Sequence, residues 1–156
     1  MNARVPASAA RYRALLQLLR TADSLWNASR VFFSSWNLSP SQFNVLNLLA
    51  DQPGGLSQTE LGRLLIMHRS NVTGLVDRLE QRGLLRRRDA AGDRRAYCVM
   101  LTPAGRKLVG QITPEYLRMA EKVWGNFPAS QARQLTSDLE QISAGAARLL
   151  KPKGAT

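Results

Sequence analysis

Nine arginines and no lysine fall between positions 63 and 95: Arg63, Arg69, Arg78, Arg82, Arg86, Arg87, Arg88, Arg94 and Arg95. Four carboxylates oppose them, Asp77, Glu80, Asp89 and Asp93, leaving that stretch at +5. A guanidinium is a planar fork that stays charged, and its paired N–H groups match two phosphate oxygens or the O6 and N7 edge of guanine. The whole chain carries 22 Lys and Arg against 11 Asp and Glu, a formal charge of +11. Such an excess suits a phosphate polyanion or an anionic membrane, with a plain solvated basic surface as the alternative. The clustering favours a defined anionic surface.

Other chemistry has little to build on. The single His and single Cys, with no glycine-rich phosphate loop and no spaced ligand set, exclude an enzyme, a cofactor and a metal site. Cys98 has no partner for an intrachain disulfide, which fits a reducing, cytoplasmic setting. Arg11, Arg13 and Arg20 interrupt the N-terminal apolar stretch, so no signal-peptide core and no membrane span are expected.

The elements that must carry the arginines follow from periodicity. Apolar residues at three- and four-residue spacing, from Leu15 and Leu18 through Phe33 to Trp36, predict one long helix over about 9–36. A terminal helix of that length has little of its own domain to bury against and suits packing on a partner. Ser39-Pro40-Ser41-Gln42 reads as a capping box with Pro at the first helical position, and Pro53-Gly54-Gly55 ends that helix. Ser57-Gln58-Thr59-Glu60 is a second box, opening a short helix with Leu61, Leu64 and Leu65. After a break near Ile66-Met67, a helix from about His68 to Arg82 buries Val72, Leu75, Val76 and Leu79. Gly83 supplies its left-handed end. Leu84–Arg88 and Arg95–Leu101 then read as two strands around a turn at Asp89–Asp93. Thr102-Pro103 opens a helix that Pro114 bends without ending. Pro128 opens the last one, and both chain ends read as frayed.

The fold expected is mainly α with a small β-hairpin: a winged helix-turn-helix flanked by N- and C-terminal helices, all within one domain, 1–156. The lobe spans about 39–102, and the flanking helices about 9–36 and 103–150. In that arrangement the second short helix can lie in the major groove of duplex DNA with the hairpin beside it. With its apolar stripe inward, the helix presents His68, Arg69, Ser70, Asn71, Thr73, Gly74, Asp77 and Arg78 outward. Residues near the N-terminus reach bases most easily, so Arg69, Ser70 and Asn71 are assigned to base edges or adjacent phosphates. Thr73 and Arg78 are assigned to phosphates, and Arg86 on the first wing strand joins the set. His68 can cap the helix, touch phosphate or do neither.

The run from Leu61 to Leu65, the run Arg69-Ser70-Asn71-Val72-Thr73-Gly74-Leu75-Val76-Asp77-Arg78-Leu79 on to Leu84, and the later Asp93-Arg94-Arg95 and Leu101-Thr102-Pro103-Ala104-Gly105 resemble the multiple antibiotic resistance regulator (MarR) family across nearly the whole chain. The resemblance implies a homodimeric DNA-binding transcriptional regulator, by default a repressor, acting on a pseudo-palindromic operator, with the flanking segments, about 9–36 and 103–150, serving as dimerisation helices. It also implies that a wing-tip arginine, Arg95 with Arg94 sharing the contact, enters the minor groove while Asp93 orients it. A narrow minor groove concentrates negative potential and attracts arginine, which agrees with that role. His68 departs from the family pattern.

Many members of that family release DNA on binding a small aromatic or anionic molecule. Trp26, Arg30, Phe33, Trp36 and Phe43 are the candidate pocket, with Arg30 pairing a carboxylate or phenolate; the competing reading is that these aromatics simply pack. No cysteine lies on the first helix, and Cys98, between Tyr97 and Val99, reads as a packed thiol. A winged protein-interaction module without DNA reading is the alternative function.

Overall fold

Helix ends organise this chain as firmly as its apolar stripes do. The computed structural model describes residues 7–65, 69–90 and 93–149. Helix α1, Ala7–Ser34, stops two residues short of Trp36. There Asn37 takes a left-handed φ of 52°. The amides of Asn37 and Leu38 return to the carbonyls of Ser34 and Phe33 at 3.0 and 3.1 Å. That bond pair satisfies two carbonyls that the helix leaves open, with Leu38 and Phe33 both buried at the turn.

Helix α2, Pro40–Ala50, begins one step later. The Ser39 hydroxyl accepts from the Gln42 amide at 3.2 Å and the Gln42 carboxamide accepts from the Ser39 amide at 2.8 Å, so the box is closed in both directions. The second box is equally complete, with the Ser57 amide and hydroxyl both donating to Glu60 Oε2, at 2.8 and 2.7 Å. Those bonds, led by the Ser57 hydroxyl, hold the Glu60 carboxyl below the usual carboxylate range.

Helix α3, Gln58–Leu65, and helix α4, Arg69–Gln81, follow. The expected break at Ile66-Met67 and the start at His68 lie outside the described residues. Gly83, at φ +68°, ends α4 as Asn37 ends α1, with Leu84 N–H returning to the Leu79 carbonyl at 3.0 Å.

The hairpin is strand β2, Leu85–Ala90, and strand β3, Asp93–Leu101, with a two-residue strand β1, Leu56–Ser57, on the far edge of β3. Both pairings are antiparallel, with Leu85 opposite Leu101 and Leu56 opposite Val99. Pairing extends closer to the tip than a turn at 89–93 allows, because Ala90 still opposes Asp93. Between that pair and the Asp89–Tyr97 pair the register shifts, leaving Arg94, Arg95 and Ala96 as an extra stretch on β3.

Helix α5, Pro103–Trp124, continues through Pro114 without a break, and helix α6 spans Ala129–Leu149. Thr102 caps α5, its hydroxyl accepting from the Gly105 amide at 3.1 Å and donating to the Gly83 carbonyl at 2.6 Å.

Residues up to Tyr116 form one compact unit and those from Leu117 onward a second. The first holds the core: Phe33, Leu46, Leu49, Leu61, Val72, Val76, Leu79, Val99 and Ile112 are each at most 1% exposed. In the second, α6 has no buried residue among those described, and it exposes Leu135, Ile142 and Leu149 at seven-residue steps. Along α1, Leu15, Leu19, Leu25 and Trp26 are also exposed. No helix among the described residues is long and apolar enough to cross a membrane.

Candidate nucleic-acid interface

Helix α4 shows the expected division of faces. Val72, Leu75, Val76 and Leu79 are buried, while Asn71 and Arg78, two turns apart, are exposed. A spacing of seven puts Asn71 and Arg78 on one side of the helix, away from the core stripe. His68 lies outside the described residues, as do the side chains of Arg69 and Ser70; the backbone places the latter two in the first turn of α4.

Thr73, expected as an outward phosphate clamp, is held from within the motif. Its half-buried hydroxyl donates to Gln58 Oε1 at 3.1 Å. Gln58, the first residue of α3, is itself buried at 5% exposure. The bond therefore braces the two helices of the motif against each other. Sequence reasoning missed Gln58, which it treated only as part of a capping box.

The larger correction concerns Arg87. It belongs to the run Arg86-Arg87-Arg88, but alternation along β2 turns it inward while Arg86 and Arg88 stay exposed. Its guanidinium pairs with both Asp77 and Glu80 on α4, and its backbone amide donates to Glu80 Oε1 at 2.8 Å. The guanidinium carbon also lies 5.5 Å from the centre of the Tyr97 ring. Partial burial disfavours the charged guanidinium, but the hydrogen bond to Asp77 and the charges of Glu80 and Asp77 outweigh it, and its pKa rises above the ordinary arginine value. Arg87 is thus a clamp between wing and recognition helix, and it consumes two of the four acids in the arginine-rich stretch. The signal was present in the sequence as an i, i+3 acid pair facing a basic strand.

Other arginines divide by location. Arg82 donates to the Asn37 carbonyl, tying the end of α4 to the end of α1. Arg86 sits on the opposite face of β2 from Arg87, lining with Met100, Leu101, Pro103, Arg106 and Lys107 a hollow of about 490 Å³. Asp93, Arg94 and Arg95 lie at the start of β3, where the pairing register shifts; their side chains lie outside the described ones. Cys98 is a half-buried free thiol opposite Ser57 and Arg88.

The five candidate effector residues separate as well. Trp26 and Arg30 line an open hollow of about 380 Å³ with Leu38, Ser39 and Pro40. Phe33 and Phe43 lie in the core at 1% and 3% exposure, their rings stacked 4.5 Å apart, and Trp36 packs against that core. Tyr116 joins the same ring cluster, and its hydroxyl lies 3.3 Å from that of Ser29. In this state the two phenylalanines pack rather than line a cavity.

This architecture is shared widely. The MarR family model matches residues 36–96, the segment from the end of α1 through the wing tip. The chain is 30% identical over 112 residues to the HTH-type transcriptional regulator PecS of Dickeya dadantii (strain 3937), an alignment covering 70% of this chain and 68% of that one. Among solved structures, that of CouR from Rhodococcus jostii RHA1 bound to p-coumaroyl-CoA matches with a TM-score of 0.75 and 25% identity, covering 81% of this chain and 88% of that chain. The S. aureus MepR–DNA complex matches in fold with a TM-score of 0.75 at 21% identity, covering 86% of this chain and 97% of that chain. A winged motif with a braced helix pair, together with this likeness in sequence, places the chain in the MarR family of transcriptional regulators.

Proposed function

We propose that a homodimer of this chain binds a pseudo-palindromic operator in double-stranded DNA and represses transcription until a small aromatic or anionic effector releases it. The observation that carries this reading is the exposed stripe of Asn71 and Arg78 on a helix whose opposite face is fully buried. The wing beside it is clamped to that helix by Arg87. Asn71 with Arg69 and Ser70 takes base edges or nearby phosphates, Arg78 takes phosphate, and Arg95 with Arg94 and Asp93 takes the adjacent minor groove. The apolar stripes left open on α1 and α6 supply the contact between two copies, which places two such motifs on one duplex. A DNA-binding regulator of this kind works in the cytoplasm.

For the effector, Trp26 offers a ring face and Arg30 a cation at one open hollow. That pairing suits an aromatic carboxylate. CouR, similar in sequence and fold, is bound to p-coumaroyl-CoA, an aromatic acyl compound.

The test is anisotropy titration on duplexes that the wild-type protein selects from a genomic fragment pool, at several salt concentrations. Affinity falls steeply with salt because phosphate contacts release counterions. Arg95→Ala weakens selected-site binding by about 1–3 kcal/mol. Salt-independent binding, or an Arg95→Ala protein that binds as tightly as wild type, contradicts the proposal.

A further inference from the structure

Gly74 sits in the middle of α4, five residues after its first residue, where a glycine weakens a helix. Nothing about its backbone asks for one, since its φ is not in the left-handed region that Gly55, Gly83 and Gly125 occupy. Packing within the described residues does not ask for one either. A Cβ built at Gly74 meets only the two terminal nitrogens of Arg78, both at 3.8 Å, an ordinary contact with the far end of a flexible side chain. Gly105 shows the contrast, because there an added Cβ falls 2.1 Å from the Leu84 carbonyl oxygen.

Its direction is equally telling. At about 100° per residue, Gly74 points within roughly 30° of the direction opposite the buried stripe of Val72, Leu75, Val76 and Leu79. Half-buried itself, it lies along the helix axis between the exposed Asn71 and Arg78, which sit about 60° and 40° round from it. A missing side chain at the centre of the outward face leaves a notch in which the helix backbone itself can come close to another surface.

We infer that Gly74 is a specificity-determining position: its bare backbone lets α4 seat deeply in the major groove, so that Asn71 and the first turn reach base edges. This rests on the DNA-binding reading above. The helix is less stable than it would be with alanine, and the depth of docking is what the glycine supplies. A side chain there holds the helix away from the bases and shifts binding from base contacts toward phosphate contacts.

Gly74→Ala, Gly74→Gln and Gly110→Ala test this by thermal unfolding and by anisotropy, on duplexes selected by wild type and on scrambled duplexes. Gly110 is on α5, and an added Cβ there meets no described atom within 4 Å. Gly74→Ala raises the melting temperature by about 2–4 °C, as removal of a helix-interior glycine should, yet it weakens binding to the selected duplex. Gly74→Gln weakens it on the order of tenfold, the scale of one lost base contact, and leaves scrambled-duplex binding unchanged. Gly110→Ala raises stability and keeps affinity. Three results overturn the inference: a Gly74→Ala protein that melts lower than wild type, a Gly74→Gln protein that binds the selected duplex as well as wild type, or an equal loss in Gly110→Ala. If wild type itself shows no preference for selected over scrambled DNA, the DNA-binding reading fails and takes this one with it.

Discussion

Replacing Arg87 with methionine keeps most of the apolar stem and removes the charged fork, so it isolates the clamp between wing and recognition helix. The Arg87 side chain is 24% exposed, and its partners Asp77 and Glu80 are 47% and 34% exposed. These groups are neither fully solvated nor sealed. Exposed ion pairs contribute about 0.2–1 kcal/mol each, and hydrogen bonds to charged groups about 1.5–3 kcal/mol when protected from water. Half-open carboxylates put each bond near the lower range, at about 1 kcal/mol after screening. The Tyr97 ring face adds about 0.5 kcal/mol. The expected loss is therefore roughly 2–3 kcal/mol, or about 5–10 °C in melting temperature for a chain of this size. Urea unfolding of Arg87→Met, Asp77→Asn, Glu80→Gln and the two double variants measures it. Each cycle should return a coupling of about 0.5–1 kcal/mol that shrinks in high salt. Couplings indistinguishable from zero refute the clamp. A further consequence concerns function: well below its melting temperature, the Arg87→Met dimer should lose operator affinity, because its wing arginines are no longer held in register with α4.

Two other outcomes follow from local geometry. Gly105→Ala drives a methyl group into the Leu84 carbonyl, which is already held by the Thr102 amide at 3.1 Å; a loss of at least about 2 kcal/mol is expected in denaturant unfolding, and a neutral variant would show the α5 start to be looser than described. Glu60 has a folded-state pKa below its unfolded value, so its stabilising effect is present at neutral pH and disappears as pH falls through the folded value. Glu60→Gln is thus expected to be less stable than wild type near neutrality, with the two stability curves converging on the acid side; parallel curves would contradict the charged cap.

Both capping boxes, the Gly83 terminus and the four buried positions of α4 were legible because each is local: a few residues on one turn decide it. What sequence missed depends on contacts across elements. Strand β1 is two residues long and shares Ser57 with a cap, so no alternation marks it. The hairpin's ladder runs to Ala90 because its pairing partners, not its turn-forming residues, set where the strands end. Arg86 and Arg87 are indistinguishable by type, and only the pleat sends one outward and the other to Asp77 and Glu80. For Phe33 and Phe43 the sequence left pocket lining and packing both open, and only their ring contacts with each other and with Tyr116 decide for packing. Thr73 looked outward by helical phase alone, whereas Gln58, fifteen positions away, holds its hydroxyl.

Hydroxyl-radical and guanine-methylation footprinting of the wild-type dimer on its selected duplex tests the account most directly. Two protected half-sites are expected, their centres about one helical turn (roughly 10 bp) apart, with major-groove guanines shielded and narrow minor-groove protection flanking them. One unpaired half-site, or protection of the sugar backbone with every base edge left reactive, would contradict it.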